Sequence, residues 1–181
     1  MQKSIIVLGI GRFGYAVATK LFQEGAYVTA VDSDYEKIER IADSVSSAIQ
    51  ADITDNKSMK SLGLNNYDVA IIGTASNTEA SIVAALICKD NGVERVIAKA
   101  SSSTHARILL KIGADQIVFP EIDTAEFLSR SIISSHVLDY LELSEEYSIT
   151  EIKAHESWFN KSIQDLDFRN EYELNIIAIK R

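Results

Sequence analysis

Short apolar runs and amphipathic stretches take turns along the chain from Ser4 to about Phe119. Ile5-Ile6-Val7-Leu8 is short, largely β-branched and halted by Gly9, which predicts a strand buried on both faces. A helix-like segment follows, and Val28 to Val31 predicts the next strand, closed by Asp32. Asp34 to Ala42 carries Tyr35, Ile38 and Ile41 at helical spacing, ahead of a weak third strand at Ala48 and Ile49. Met59 and Leu62 suggest a short helix, and Val69 to Gly73 a fourth strand. Ser76 and Glu79 have capping-box spacing before Ile82, Val83, Leu86 and Ile87. Val96 to Ala98 predicts a fifth strand with Lys99 at its end. A capped helix then runs from Ser103 through Ile108, Leu109 and Ile112 to a stop at Gly113, and Gln116 to Phe119 predicts a sixth strand. Such alternation predicts a doubly wound α/β fold, a parallel sheet covered by helices on both faces.

Beyond Pro120 the pattern changes. Phe127, Leu128, Ile132, Ile133, Val137, Leu138 and Leu141 spread apolar character over more than one face of a helical segment, which therefore wants two partners. Its own sheet is one; crossing to a second subunit is the favoured reading. After Tyr147 the chain restarts with a strand at Ser148 to Ile152, a short helix around Ile163 and Leu166, and a strand at Leu174 to Ile179. Two strands and one helix are too few to bury a core alone. The expected organisation is an α/β lobe at 1–122, crossover and dimerisation helices at 123–144, and at 145–181 the incomplete start of an α+β lobe, either a truncated domain or half of a dimeric one.

Composition narrows the possibilities. With 181 residues, 46% of them hydrophobic, the chain can bury a proper core. A net charge of -8 without a Lys/Arg cluster argues against a nucleic-acid surface. No segment reads as a membrane span or a signal peptide, so a membrane role is expected to come through a partner, without direct insertion. The single cysteine, Cys88, sits in an apolar helical pattern and fits a reduced, cytoplasmic compartment.

Candidate chemistry concentrates at strand ends. In Gly9-Ile10-Gly11-Arg12-Phe13-Gly14, Gly9 permits a tight turn, Gly11 lets a pyrophosphate approach backbone N–H groups at a helix N-terminus, and Gly14 lets that helix pack on the strands. Asp32 lies about 20 residues on, where its carboxylate can accept both hydroxyls of an adenosine ribose and would repel a 2′-phosphate. This is a Rossmann-like nucleotide site. Arg12 inside the loop opposes the helix dipole unless an anion is near, which favours a phosphate contact. Ser33, Asp52, Ile53, Thr74, Ala75, Ser76 and Lys99 fall at the other carboxyl ends, where open α/β sheets place ligands. Asp52 suits an adenine amino group, the small Thr74-Ala75-Ser76 run lets a nucleotide lie close, and Lys99 can neutralise phosphate. Catalytic candidates are thin. His105, His136 and His155 lie in different elements without metal-ligand spacing, and no tyrosine has a lysine four residues on. The chain is expected not to be an enzyme.

The glycine loop together with Ala30-Val31-Asp32, Ala51-Asp52-Ile53-Thr54, Gly113-Ala114-Asp115 and Phe119-Pro120-Glu121 resembles an RCK (regulator of conductance of potassium) domain. More narrowly, the set resembles the regulatory subunit of a Trk/Ktr-type potassium uptake system, over essentially the whole chain. That resemblance implies a lobe that takes ATP, ADP or NAD(H), dimerises through a crossover helix and assembles into a larger ring such as an octamer. Its implied partner is a potassium-translocating membrane subunit, which would hold it at the inner face of the membrane. The resemblance further places Asp32 at the ribose, Asp52 at adenine, Arg12 at the terminal phosphate of ATP, Lys99 near phosphate, and Glu121 at a Mg or Ca ion by a subunit interface. The alternatives are an NAD(H)-binding redox sensor and a small NAD-dependent reductase or epimerase fragment.

Overall fold

The computed structural model describes residues 2–75, 77–133, 137–142 and 148–179. The chain divides into two compact units, Met1–Asp123 and Thr124–Arg181. In the first, β1 (Ser4–Leu8), β2 (Tyr27–Asp32), β3 (Ser47–Gln50), β4 (Val69–Ile72), β5 (Arg95–Lys99) and β6 (Gln116–Val118) form one sheet in the order β3-β2-β1-β4-β5-β6, all pairs parallel. Between the strands run α1 (Arg12–Gln23), α2 (Tyr35–Ile41), α3 (Asn56–Ser61), α4 (Thr78–Asp90) and α5 (Ser103–Lys111).

The uninterrupted apolar run of β1 is explained by burial on both sides. Ile6 and Leu8 join one core cluster with Met59, Ile72, Ala84, Cys88 and Leu109, while Ile5 and Val7 join another with Ala18, Val28, Ile38 and Ile41. Side chains alternate across a strand, so successive residues feed opposite layers. β1 sits between β2 and β4, with Leu8 level with both Val31 and Ile72. The chain leaves β1 in one direction and β4 in the other, and the crevice at that switch point is where this topology admits ligands.

Three expectations are corrected. The first cap of α4 is Asn77, whose side chain accepts from Ala80 N–H at 3.0 Å. Ser76 lies outside the described residues, and Glu79 stands in the first turn of the helix. The helix after Pro120 is α6, Pro120–Ile133, and it stops short of Val137, Leu138 and Leu141. Those three belong to β7 (Val137–Glu142), which pairs antiparallel with β8 (Ser148–Ile152). Apolar spacing over so short a run fits either period, and the available partner strand decides. Finally, Leu174 to Ile179 forms no strand. A strand is defined by its neighbour, and none among the described residues pairs with this segment.

Candidate functional site

Gly9 turns the chain out of β1 at φ +90°, and its N–H donates to Val31 O at 2.8 Å. A left-handed backbone there favours glycine. A Cβ on Gly14 would stand 2.0 Å from Gly9 O, so only glycine lets α1 lie this close to the turn. Gly73, which the sequence reading counted as a strand residue, completes the contact: a Cβ on it would meet Gly9 O at 2.6 Å and Gly14 Cα at 3.0 Å. Gly11 is different, since a Cβ there would meet nothing within 4 Å. It is the N-cap of α1, and no side chain caps the helix or places an acid in its first turn. The N-terminal amides of α1 therefore face an open cradle of the kind that takes an anion.

Asp32 closes β2 and is only 7% exposed. Ile10 N–H donates to its Oδ2 at 2.7 Å and Asp34 N–H to its Oδ1 at 3.0 Å, which aims the carboxylate across the mouth of the glycine turn. Lys37 Nζ lies 3.3 Å from Oδ1 and 3.4 Å from Oδ2, and 3.6 Å from Asp34 Oδ2. Lys37 escaped the sequence reading. Its position in the first turn of α2, five residues beyond the strand-end acid, was the available signal.

A cleft of about 320 Å³ opens at this corner. Of the expected residues, Gly9, Asp32, Ser33, Asp52, Ile53 and Thr74 line it; Lys37, Thr54, Asn77 and Ala80 complete the wall. Asp52 accepts from both the hydroxyl (2.7 Å) and the N–H (2.8 Å) of Thr54, and these bonds hold its carboxyl below the usual range. Ala75 is buried at 8% and does not reach the cleft.

Phe13, Lys99 and Glu121 come together elsewhere on the same unit. Lys99 Nζ lies 2.5 Å from Glu121 Oε1 and 5.9 Å from the Phe13 ring centroid. The Lys99 hydrogen bond, helped by the Glu121 N–H and by the charges of Lys99 and Arg12, holds the Glu121 carboxyl below its ordinary value. Arg12 itself is exposed. Among the described residues no group of three His, Cys, Asp or Glu side chains could hold a metal ion, so Glu121 offers a cation one carboxylate, already shared with Lys99.

His105 is buried within α5, His155 caps a 3-10 turn by accepting from Ser157 N–H, and His136 lies outside the described residues. Cys88 is fully buried, and burial pushes its thiol up to about 12, which makes it inert as the apolar pattern implied. No helix among the described residues is long and apolar enough to cross a membrane.

Strand order, glycine turn and strand-end acid together define a doubly wound domain of the Rossmann-like class. Residues 5–120 match the TrkA-N domain, and the chain belongs to that family. Over 181 residues it is 44% identical to the Ktr system potassium uptake protein C of Bacillus subtilis, spanning 100% of this chain and 82% of that protein. Its fold is like that of the GsuK RCK domain crystal structure, with a TM-score of 0.68 at 18% identity over 98% of this chain and 39% of the other. Structures of GsuK bound to ADP and of the GsuK channel bound to NAD each match with a TM-score of 0.62 at 16% identity over 72% and 71% of this chain and 34% and 23% of those chains.

Proposed function

We propose that this protein is the regulatory subunit of a potassium uptake system, binding an adenine nucleotide to control a potassium-translocating membrane subunit. The observation that carries the reading is the bond from Ile10 N–H to Asp32 Oδ2. It ties the ribose acceptor to the loop whose next residue, Gly11, leaves the start of α1 open. One nucleotide would then place its ribose hydroxyls on Asp32, its base beside Asp52, Ile53 and Thr74, and its phosphates on the amides after Gly11. Arg12 and Lys99 supply the cations for the distal phosphates. Glu121 would reach Mg or Ca only with phosphate oxygens or a second copy supplying the other ligands.

The protein acts by binding, not by catalysis. Different nucleotides favour different subunit arrangements, and the membrane partner reads that difference. The apolar face of α6, where Phe127, Leu128, Ile132 and Ile133 are all exposed, fits pairing with a second copy in a dimer that builds into a ring. One phosphate contact through Arg12 contributes about 1.5 to 3 kcal/mol, whereas reversing a two-state population takes about 5.5, so several linked subunits must act together.

Calorimetric titration with ATP, ADP, NAD and NADH, with and without Mg or Ca, tests this on the wild type and on Arg12→Ala. The expected result is a preference for ATP or ADP, with ATP affinity falling about tenfold or more in the variant. Tight NADH binding indifferent to Arg12 would instead favour an NAD(H)-binding redox sensor or a small NAD-dependent reductase.

A further inference from the structure

Ser81 and His105, 0% and 2% exposed, meet in the interior with Oγ and Nε2 2.7 Å apart. Ser81 sits in the first turns of α4 and His105 in the first turn of α5. The Ser81 hydroxyl donates to Thr78 O at 2.9 Å, so its oxygen receives the Nε2–H of the imidazole. On the ring's other side Nδ1 accepts from Ser101 N–H at 3.3 Å, with Ser101 Oγ at 3.2 Å. The network is complete for a neutral ring carrying its hydrogen on Nε2, and for that tautomer alone.

Along the chain each anchor lies near a residue with a part in the proposed nucleotide site: on one side the cleft wall, on the other Lys99, which stands apart from the cleft beside Phe13 and Glu121. Ser81 follows Ala80, which lines the cleft with Asn77, while Ser101 lies two residues beyond Lys99 at the end of β5. A pair of apolar side chains would fill this space without needing partners. A polar pair adds direction, because a hydrogen-bonded ring fixes distance and angle where packed methyl groups fix only volume.

We infer that His105 is a positioning residue of the nucleotide site, its ring holding the start of α4 and the Lys99 end of β5 at one set separation. The cleft wall and the phosphate-side cation thereby address a single ligand. The inference rests on the nucleotide reading above, with Lys99 serving the distal phosphates.

Calorimetric affinities for ADP and AMP, with thermal midpoints, on the wild type, His105→Ala, His105→Gln and Ser81→Ala test it. The ratio of ADP to AMP affinity falls about fivefold or more in both alanine variants, and His105→Gln, which keeps an N–H for Ser81, restores most of it. A fold that is merely loosened lowers the midpoint and weakens both nucleotides alike. An unchanged ratio in Ser81→Ala and His105→Ala therefore overturns the inference while leaving the nucleotide site standing. Failure of the wild type to bind either nucleotide overturns the nucleotide reading and this inference with it.

Discussion

Lys37 straddles the carboxylate of Asp32, its Nζ 3.3 Å from one oxygen and 3.4 Å from the other. The acid is thus not a bare negative charge. Its inner side is taken up by the N–H groups of Ile10 and Asp34, and its outer side by a lysine whose side chain is 37% exposed. Repulsion of a 2′-phosphate is consequently weaker than Asp32 alone implies. Lys37→Met should widen the preference for AMP over adenosine 2′,5′-bisphosphate by about fivefold, the worth of a partly exposed charge contact of about 1 kcal/mol. Parallel calorimetric titrations check this; an unchanged or narrowed preference would show that Lys37 does not face the ribose.

Gly11 and Gly14 separate binding from folding. Gly14→Ala drives a methyl group onto the backbone of Gly9 and should destabilise the protein by about 3 kcal/mol or more in urea unfolding, since a carbonyl cannot swing aside. Gly11→Asp meets open space, caps α1 and puts an acid at its positive end. It should gain roughly 0.5 kcal/mol of stability while nucleotide binding is abolished, because the new carboxylate takes the amides meant for phosphate.

Lys99 is held by Glu121, and the pair competes with any phosphate for the same ammonium. In EDTA, Glu121→Gln should strengthen ADP binding a few-fold and leave adenosine unaffected. The gain should shrink at ~0.5 M salt, where exposed charges are screened. In Mg or Ca the variant should lose whatever increment the cation adds in the wild type.

Burial lowers the pKa of His105 below the ordinary 6.5. The unfolded chain therefore binds a proton before the folded one does, and stability falls as pH drops from about 6.5 through the folded value. A second proton on the ring would also set an N–H against Ser101 N–H. Urea midpoints between about pH 7.5 and 5 should decline in the wild type and decline less in His105→Gln. Further loss below about pH 4 is shared by the carboxyls that hydrogen bonds hold low, Asp115, Asp52, Asp55 and Glu121 among them; they stabilise above the ordinary carboxylate pKa and cease to as they protonate.

Much of this architecture was legible in local spacing. The run Ile5 to Leu8 is apolar at every position because β1 is covered on both faces, and that alone implies a parallel sheet between helices. The glycine turn, the acid ending β2 and the strand-end positions of Asp52 and Thr74 were equally visible, since each depends on a few consecutive residues. The run from Phe127 to Leu141 misled, because a helix and a strand share its apolar spacing and only pairing with β8 separates them.

By itself the sequence determined the doubly wound sheet, the glycine loop and the acid that faces it. Tertiary structure alone decided that Lys37 covers Asp32, that Gly73 presses on Gly9 and Gly14, and that His105 bridges Ser81 and Ser101. Periodicity records which way a side chain points relative to its own neighbours in the chain. Which distant residue it meets depends on the order in which strands enter the sheet, and no short stretch of sequence contains that order.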